Sequence, residues 1–96
     1  MMGQNSKQLL FDLKMNGSCN ALAFSPCEKY LFSVGDQAEI YQWDLQTRRC
    51  ISKTADEGAY LTTCLEVSPN GNLVATGSKM GTVNMFQVEP ATSVLD

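Results

Sequence analysis

Ala38-Glu39-Ile40-Tyr41-Gln42-Trp43-Asp44-Leu45 is the stretch whose reading decides the fold, because its pattern returns 43 positions later as Gly81-Thr82-Val83-Asn84-Met85-Phe86-Gln87-Val88. The register holds without a gap from Ser25-Pro26 to Ser68-Pro69, from Leu31 to Val74 and from Ile40 to Val83. Identities between the copies are few, so the match rests on pattern and spacing. If the first stretch is a strand, Glu39, Tyr41, Trp43 and Leu45 share one face and Ile40, Gln42 and Asp44 the other. In the second copy Thr82, Asn84, Phe86 and Val88 oppose Val83, Met85 and Gln87. Large apolar groups fall on both faces, as expected of a sheet packed on both sides.

A period in the low forties, four short strand-like runs per period and a closing Trp-Asp predict an all-β fold built of β-propeller blades. A two-layer β-sandwich tolerates the same runs and is the alternative. The outward reading expects strands at 8–15, 19–24, 30–34 and 50–55, then at 61–67, 73–77 and 82–88. Turns fall at Asn16-Gly17-Ser18, Ser25-Pro26, Gly35-Asp36-Gln37, Asp56-Glu57-Gly58, Ser68-Pro69 and Ser78-Lys79-Met80-Gly81. Small Ala21 and Ala23 suit the innermost strand of a blade.

Two repeats in 96 residues cannot close a ring, since repeat folds need about three or more units to bury enough surface. The expectation is one complete four-stranded blade, roughly 19–55, flanked by parts of two neighbours: the outer strand 8–15 of one and three strands of the other. Residues 1–7 are expected to be a disordered N-terminus, 8–88 two repeats of an incomplete propeller, and 89–96 a C-terminal tail.

Composition narrows the function. The net charge of −3 and seven scattered basic residues argue against a nucleic-acid-binding surface made by this chain alone. No apolar run approaches the ~18 residues of a membrane span, and no signal peptide opens the chain. The four cysteines, Cys19, Cys27, Cys50 and Cys64, form no Cys-x-x-Cys pair, and there is no histidine. No metal site is therefore expected, and the thiols read as reduced and buried. The missing histidine also removes the usual general base near neutral pH. Asp36, Glu39, Asp56 and Glu57 lie in turns or at strand ends and read as solvated charge, while Ser25 and Ser68 have no base partner nearby. No catalytic, cofactor-binding or metal residues are assigned, and no small-molecule substrate is expected.

Phe24-Ser25-Pro26, Trp43-Asp44-Leu45, Val67-Ser68-Pro69-Asn70-Gly71 and Thr76-Gly77-Ser78-Lys79-Met80-Gly81-Thr82-Val83 resemble the WD-repeat superfamily. The resemblance implies a repeat-structural set of Ser25, Pro26, Gly35, Trp43, Asp44, Ser68, Pro69, Gly77, Gly81 and Phe86. Neither repeat carries the family's Gly-His pair. The turn aspartate of its hydrogen-bond tetrad falls on Gln37 and Met80, and the second Trp-Asp is Phe86-Gln87. Packing is expected to stand in for those internal hydrogen bonds.

A more specific resemblance runs from about Leu10 to Phe86. Asp12-Leu13-Lys14-Met15-Asn16-Gly17, Glu39-Ile40-Tyr41-Gln42-Trp43-Asp44, Arg49-Cys50, Asp56-Glu57-Gly58, Gly77-Ser78 and Val83-Asn84 are similar to the U3 small nucleolar RNA-associated protein 18 family. That resemblance implies a non-catalytic scaffold of the nucleolar small-subunit processome, involved in 18S ribosomal RNA maturation. It implies partners that are other proteins of a ribonucleoprotein assembly, with RNA reached indirectly through the complex and no membrane. The alternative is a generic WD-repeat adaptor of another complex. A cullin-ligase receptor is disfavoured among these, because Gln46 stands where that docking box needs arginine.

Overall fold

The computed structural model describes residues 7–58 and 61–88. The expectations for residues 1–6 and 89–96 lie outside the described residues. Seven antiparallel strands follow in chain order: β1 (Cys19–Phe24), β2 (Tyr30–Gly35), β3 (Glu39–Asp44), β4 (Arg49–Ala55), β5 (Thr62–Val67), β6 (Leu73–Ser78) and β7 (Val83–Gln87). They form a four-stranded sheet, β1-β2-β3-β4, and a three-stranded sheet, β5-β6-β7. The expected complete blade is thus present, followed by three strands of the next.

Local chemistry repeats with the sequence. In the first Ser-Pro turn the Ser25 carbonyl accepts the Glu28 N–H at 2.9 Å and the Ser25 hydroxyl accepts the Tyr30 N–H at 3.1 Å. In the second, the Ser68 carbonyl accepts from Gly71 at 2.9 Å and the Ser68 hydroxyl from Leu73 at 3.0 Å. Both turns need one left-handed residue, Glu28 (φ 62°) in the first and Gly71 (φ 81°) in the second. Glycine adopts that conformation without penalty, whereas a side chain strains it. The innermost strands share an irregularity as well, with register shifts at Cys19/Ala21 in β1 and at Thr62/Cys64 in β5. A bulge there adds local twist.

Strand pairing assigns the faces. On the first sheet, Phe24, Leu31 and Trp43 are successive cross-strand neighbours, as are Leu22, Ser33 and Tyr41. The opposite face carries Ala21, Ala23, Phe32, Val34 and Ile40. That second face meets Leu65 and Val74 of the other sheet, with Val67 and Phe86 packed alongside, to make the core between the blades.

Two expectations are corrected. Residues 8–15 are not a strand, although their alternation persists: Phe11, Leu13 and Met15 are half-buried and Asp12 and Lys14 exposed. Strand structure needs a neighbour to take the backbone groups, and no described strand lies beside this run. The second repeat is also not packed on both sides. Val83 and Met85 are 73% and 65% exposed, whereas Ile40 on β3 is buried. No described element covers that face of the second sheet.

Candidate functional site

The first blade is held at its middle by aromatic packing. Tyr41 and Trp43, both buried, stack with ring centroids 5.8 Å apart, and the Trp43 indole N–H donates to the Ser33 hydroxyl at 2.9 Å. A buried indole N–H needs such an acceptor. The Tyr41 hydroxyl reaches beyond the sheet to accept the Asn16 backbone N–H at 3.3 Å. Lys53 lies over the Tyr41 ring at 5.0 Å, and Arg48 over Phe11 at 4.5 Å, so the run before β1 is laid across this face.

The second blade is held differently. Asp56, completely buried in the connection after β4, gathers three donors. The Thr62 hydroxyl donates to one carboxylate oxygen at 3.0 Å; the Thr76 hydroxyl, at 3.0 Å, and the Asn84 amide, at 2.8 Å, donate to the other. The Asn84 amide also donates to the Glu57 carbonyl at 3.0 Å. One carboxylate thereby ties the connection between the blades to β5, β6 and β7 at once. A buried carboxylate is tolerated only when its lone pairs are taken in this way.

This corrects two expectations. Asp56 is not solvated charge, and hydrogen bonds are not simply replaced by packing. The missed signal lies in the register. Thr76 occupies the position of Ser33, and Phe86 that of Trp43. Phenylalanine has no N–H to offer, so the Thr76 hydroxyl needs another partner, and Asp56 supplies it. No buried side-chain nitrogen or oxygen among the described residues lacks a partner.

The other residues expected to form the repeat frame sit around these centres. Ser25 is buried, and Ser68 half-buried, in the paired turns, with Pro26 and Pro69 exposed beside them. Asp44 accepts the Gln46 and Thr47 N–H groups at 2.9 and 3.3 Å, closing the turn after β3. Gly35, at the end of β2, lies so close to the Ser18 carbonyl that any side chain would collide with it. Gly77 faces the Cys64 sulfur across the bulge of β5, Gly81 lies in the turn before β7, and Phe86 packs on the core. The two sheets are also joined by the Asn20 amide, which donates to Asp36 at 3.0 Å and to the Thr62 carbonyl at 3.1 Å.

The expectation of buried thiols is corrected too. Cys19, Cys27 and Cys64 are exposed and Cys50 half-buried, all four unpaired. Cys19, Cys50 and Cys64 lie at register shifts of their strand pairs, and Cys27 in the first Ser-Pro turn. The Ser25 hydroxyl beside the Cys27 sulfur, at 3.4 Å, holds that thiol below its usual pKa, assisted by the Lys29 backbone. Among the described residues, no three histidine, cysteine, aspartate or glutamate side chains are placed to hold a metal ion.

A concave apolar surface lies on the first sheet. On the first sheet Leu22 and Phe24 are 59% and 60% exposed. With Trp43, Leu31 and the overlying Leu13 and Met15 they line a groove of about 720 Å³. Exposed apolar groups contiguous to this degree mark an interaction surface.

Residues 7–44 and 49–87 each match the WD domain, G-beta repeat. The chain belongs to this family. It is 42% identical over 87 residues to a U3 small nucleolar RNA-associated protein 18 homolog of Arabidopsis thaliana, covering 91% of this chain and 16% of that protein. It is 34% identical over 86 residues to the homolog of the same name in Mus musculus, covering 90% and 16%. The chain thus spans about a sixth of the length of these curated relatives. Among solved structures, the WD40 repeats of RRP9 superpose with a TM-score of 0.71 at 18% identity, over 78% of this chain and 24% of that one. That likeness identifies both sheets as β-propeller blades. The sandwich alternative is thereby excluded.

Proposed function

We propose that this chain is part of a non-catalytic scaffold that docks other proteins within a nucleolar ribonucleoprotein assembly. Its specific place is the small-subunit processome, in 18S ribosomal RNA maturation. The observation carrying this reading is the 42% identity to the Arabidopsis thaliana homolog over nearly the whole chain. That likeness runs through both repeats, over 91% of the chain.

The site supports the same conclusion. Asp56 spends its carboxylate on three internal hydrogen bonds, and the chain has no histidine to act as a base. Ser25, Pro26, Gly35, Trp43, Asp44, Ser68, Pro69, Gly77, Gly81 and Phe86 serve as the repeat frame, leaving recognition to exposed loops and faces. The net charge of −3 favours protein partners, with RNA reached through the complex.

The test is localisation with co-purification. Tagged protein is expected to concentrate in the nucleolus and to bring U3 RNA with it. A diffuse cytoplasmic signal without U3 RNA would overturn this reading in favour of a generic WD adaptor.

A further inference from the structure

We propose that Asn16-Gly17 is a site of spontaneous covalent modification, where the asparagine converts to aspartate and isoaspartate, while the fold protects Asn70-Gly71 from the same reaction. These are the two Asn-Gly pairs of the chain. In such a pair the glycine nitrogen can attack the asparagine side-chain carbon, because no Cβ crowds its approach. A new N–Cγ bond closes a cyclic imide. The Cγ–N bond of the side-chain amide breaks, and ammonia leaves with the proton given up by the glycine nitrogen. Water then opens the ring, at Cγ to give aspartate or at the backbone carbonyl to give isoaspartate. Water enters, ammonia departs, and no oxidant or reductant is needed.

The two pairs are alike in sequence and differently surrounded in the fold. Asn16 and Gly17 are both exposed, and Gly17 takes a left-handed conformation (φ 83°). Among the described residues, neither the Asn16 side-chain amide nor the Gly17 N–H has a hydrogen-bond partner. The side chain can therefore swing its Cγ towards the Gly17 nitrogen at no cost in broken bonds.

At the second pair both reacting groups are held. The Gly71 N–H donates to the Ser68 carbonyl at 2.9 Å. The Asn70 Oδ1 accepts the Ser68 hydroxyl at 2.8 Å and the Asn72 N–H at 3.0 Å. Those donors polarise Cγ, but they also fix the side chain, and attack requires it to rotate. Gly71 is half-buried as well, with Pro26 Cδ 3.4 Å from the place a Cβ would take. Asn70 must break these bonds before it can react, a cost that Asn16 does not meet.

Reaction at Asn16 would also change the structure. The chain is anchored on both sides of Gly17. The Asn16 N–H donates to the Tyr41 hydroxyl at 3.3 Å, and the Ser18 carbonyl lies hard against Gly35. Isoaspartate routes the main chain through the side-chain carbon, which inserts a methylene between these anchors. The single hydrogen bond to Tyr41 is the weaker of the two and gives way first. The run that ends at Met15 then loses its tie to β3.

The intact protein, kept folded at mildly alkaline pH in heavy-oxygen water, tests this by peptide mass mapping. Asn16 is expected to take up the label at least about tenfold faster than Asn70, whose hydrogen bonds must open first. In denaturant the two rates should converge, since neither pair keeps its hydrogen bonds there. Hydrogen exchange across residues 8–18 should quicken in the isoaspartate fraction. Equal labelling of the two pairs in the folded protein would overturn the proposal. So would a gap that persists in denaturant, because flanking residues rather than the fold would then set it. Unchanged exchange across residues 8–18 would overturn the release from Tyr41.

Discussion

The two blades share turns, bulges and register, yet their third strands are secured by opposite means. On β3, Tyr41 and Trp43 are buried aromatics whose polar groups are each partnered, the indole N–H donating to Ser33 and the Tyr41 hydroxyl accepting from the Asn16 N–H. On β7 the same positions are Asn84 and Phe86, and the polar demand passes to Asp56, which takes donors from three strands. The hydroxyl at the second-strand position changes its part between the two, accepting from Trp43 in the first blade and donating to Asp56 in the second. A hydroxyl can do either, so one strand position serves two different networks without a change of backbone. The connection before each inner strand is tied to the same third-strand position in both: the Asn16 N–H to Tyr41, and the Glu57 carbonyl to Asn84.

The largest expected effect breaks the aromatic side of this comparison. Trp43→Ala should cost about 3–5 kcal/mol through lost burial and the cavity left behind. Denaturant midpoints at fixed protein concentration would measure it. A loss below about 1 kcal/mol would mean that Trp43 is not the packing centre of the first blade.

Asp56→Ala attacks the polar side and should cost about 3 kcal/mol, because it strands the Thr62 and Thr76 hydroxyls and the Asn84 amide. Combining it with Thr76→Val should be non-additive by more than about 0.5 kcal/mol. Additive losses would show that the carboxylate and the hydroxyl do not act as one network.

Ser33→Ala removes the acceptor of the Trp43 indole and should cost about 1–2 kcal/mol, since that N–H is left buried without a partner. Indole N–H exchange followed by NMR should quicken in parallel. Unchanged exchange would place the acceptor elsewhere.

The smallest effect has the opposite sign. Glu28 holds the left-handed turn position that Gly71 fills in the second repeat. Glu28→Gly should stabilise by up to about 1 kcal/mol, relieving backbone strain against the added freedom of the unfolded chain. A destabilised variant would show that the Glu28 side chain contributes more than its backbone strain costs.

Much of the blade is legible in the order of its residues. The spacing from Ser25-Pro26 to Ser68-Pro69 marks paired turns, and alternation about Trp43 and Phe86 marks strands whose faces can be assigned. These are local properties, in which side-chain period and turn chemistry act within a few residues. Residues 8–15 show where such reading stops. They alternate like a strand, yet no ladder forms, because a strand is defined by what lies beside it.

Asp56 shows the same limit at the site. In sequence it opens an Asp-Glu-Gly turn, and a charged residue in a turn reads as solvated. Its burial depends on Thr62, Thr76 and Asn84 converging from three strands up to 28 positions away.

The sequence alone determined the period, the turns, the order of the strands from β1 to β7 and the lack of histidine in this chain, since each follows from residue identity and short-range geometry. Only the tertiary structure decided which carboxylate is buried and which face of each sheet is covered among the described residues. Those depend on what long-range packing brings into contact, and a charge accepts burial only where enough donors have been gathered around it.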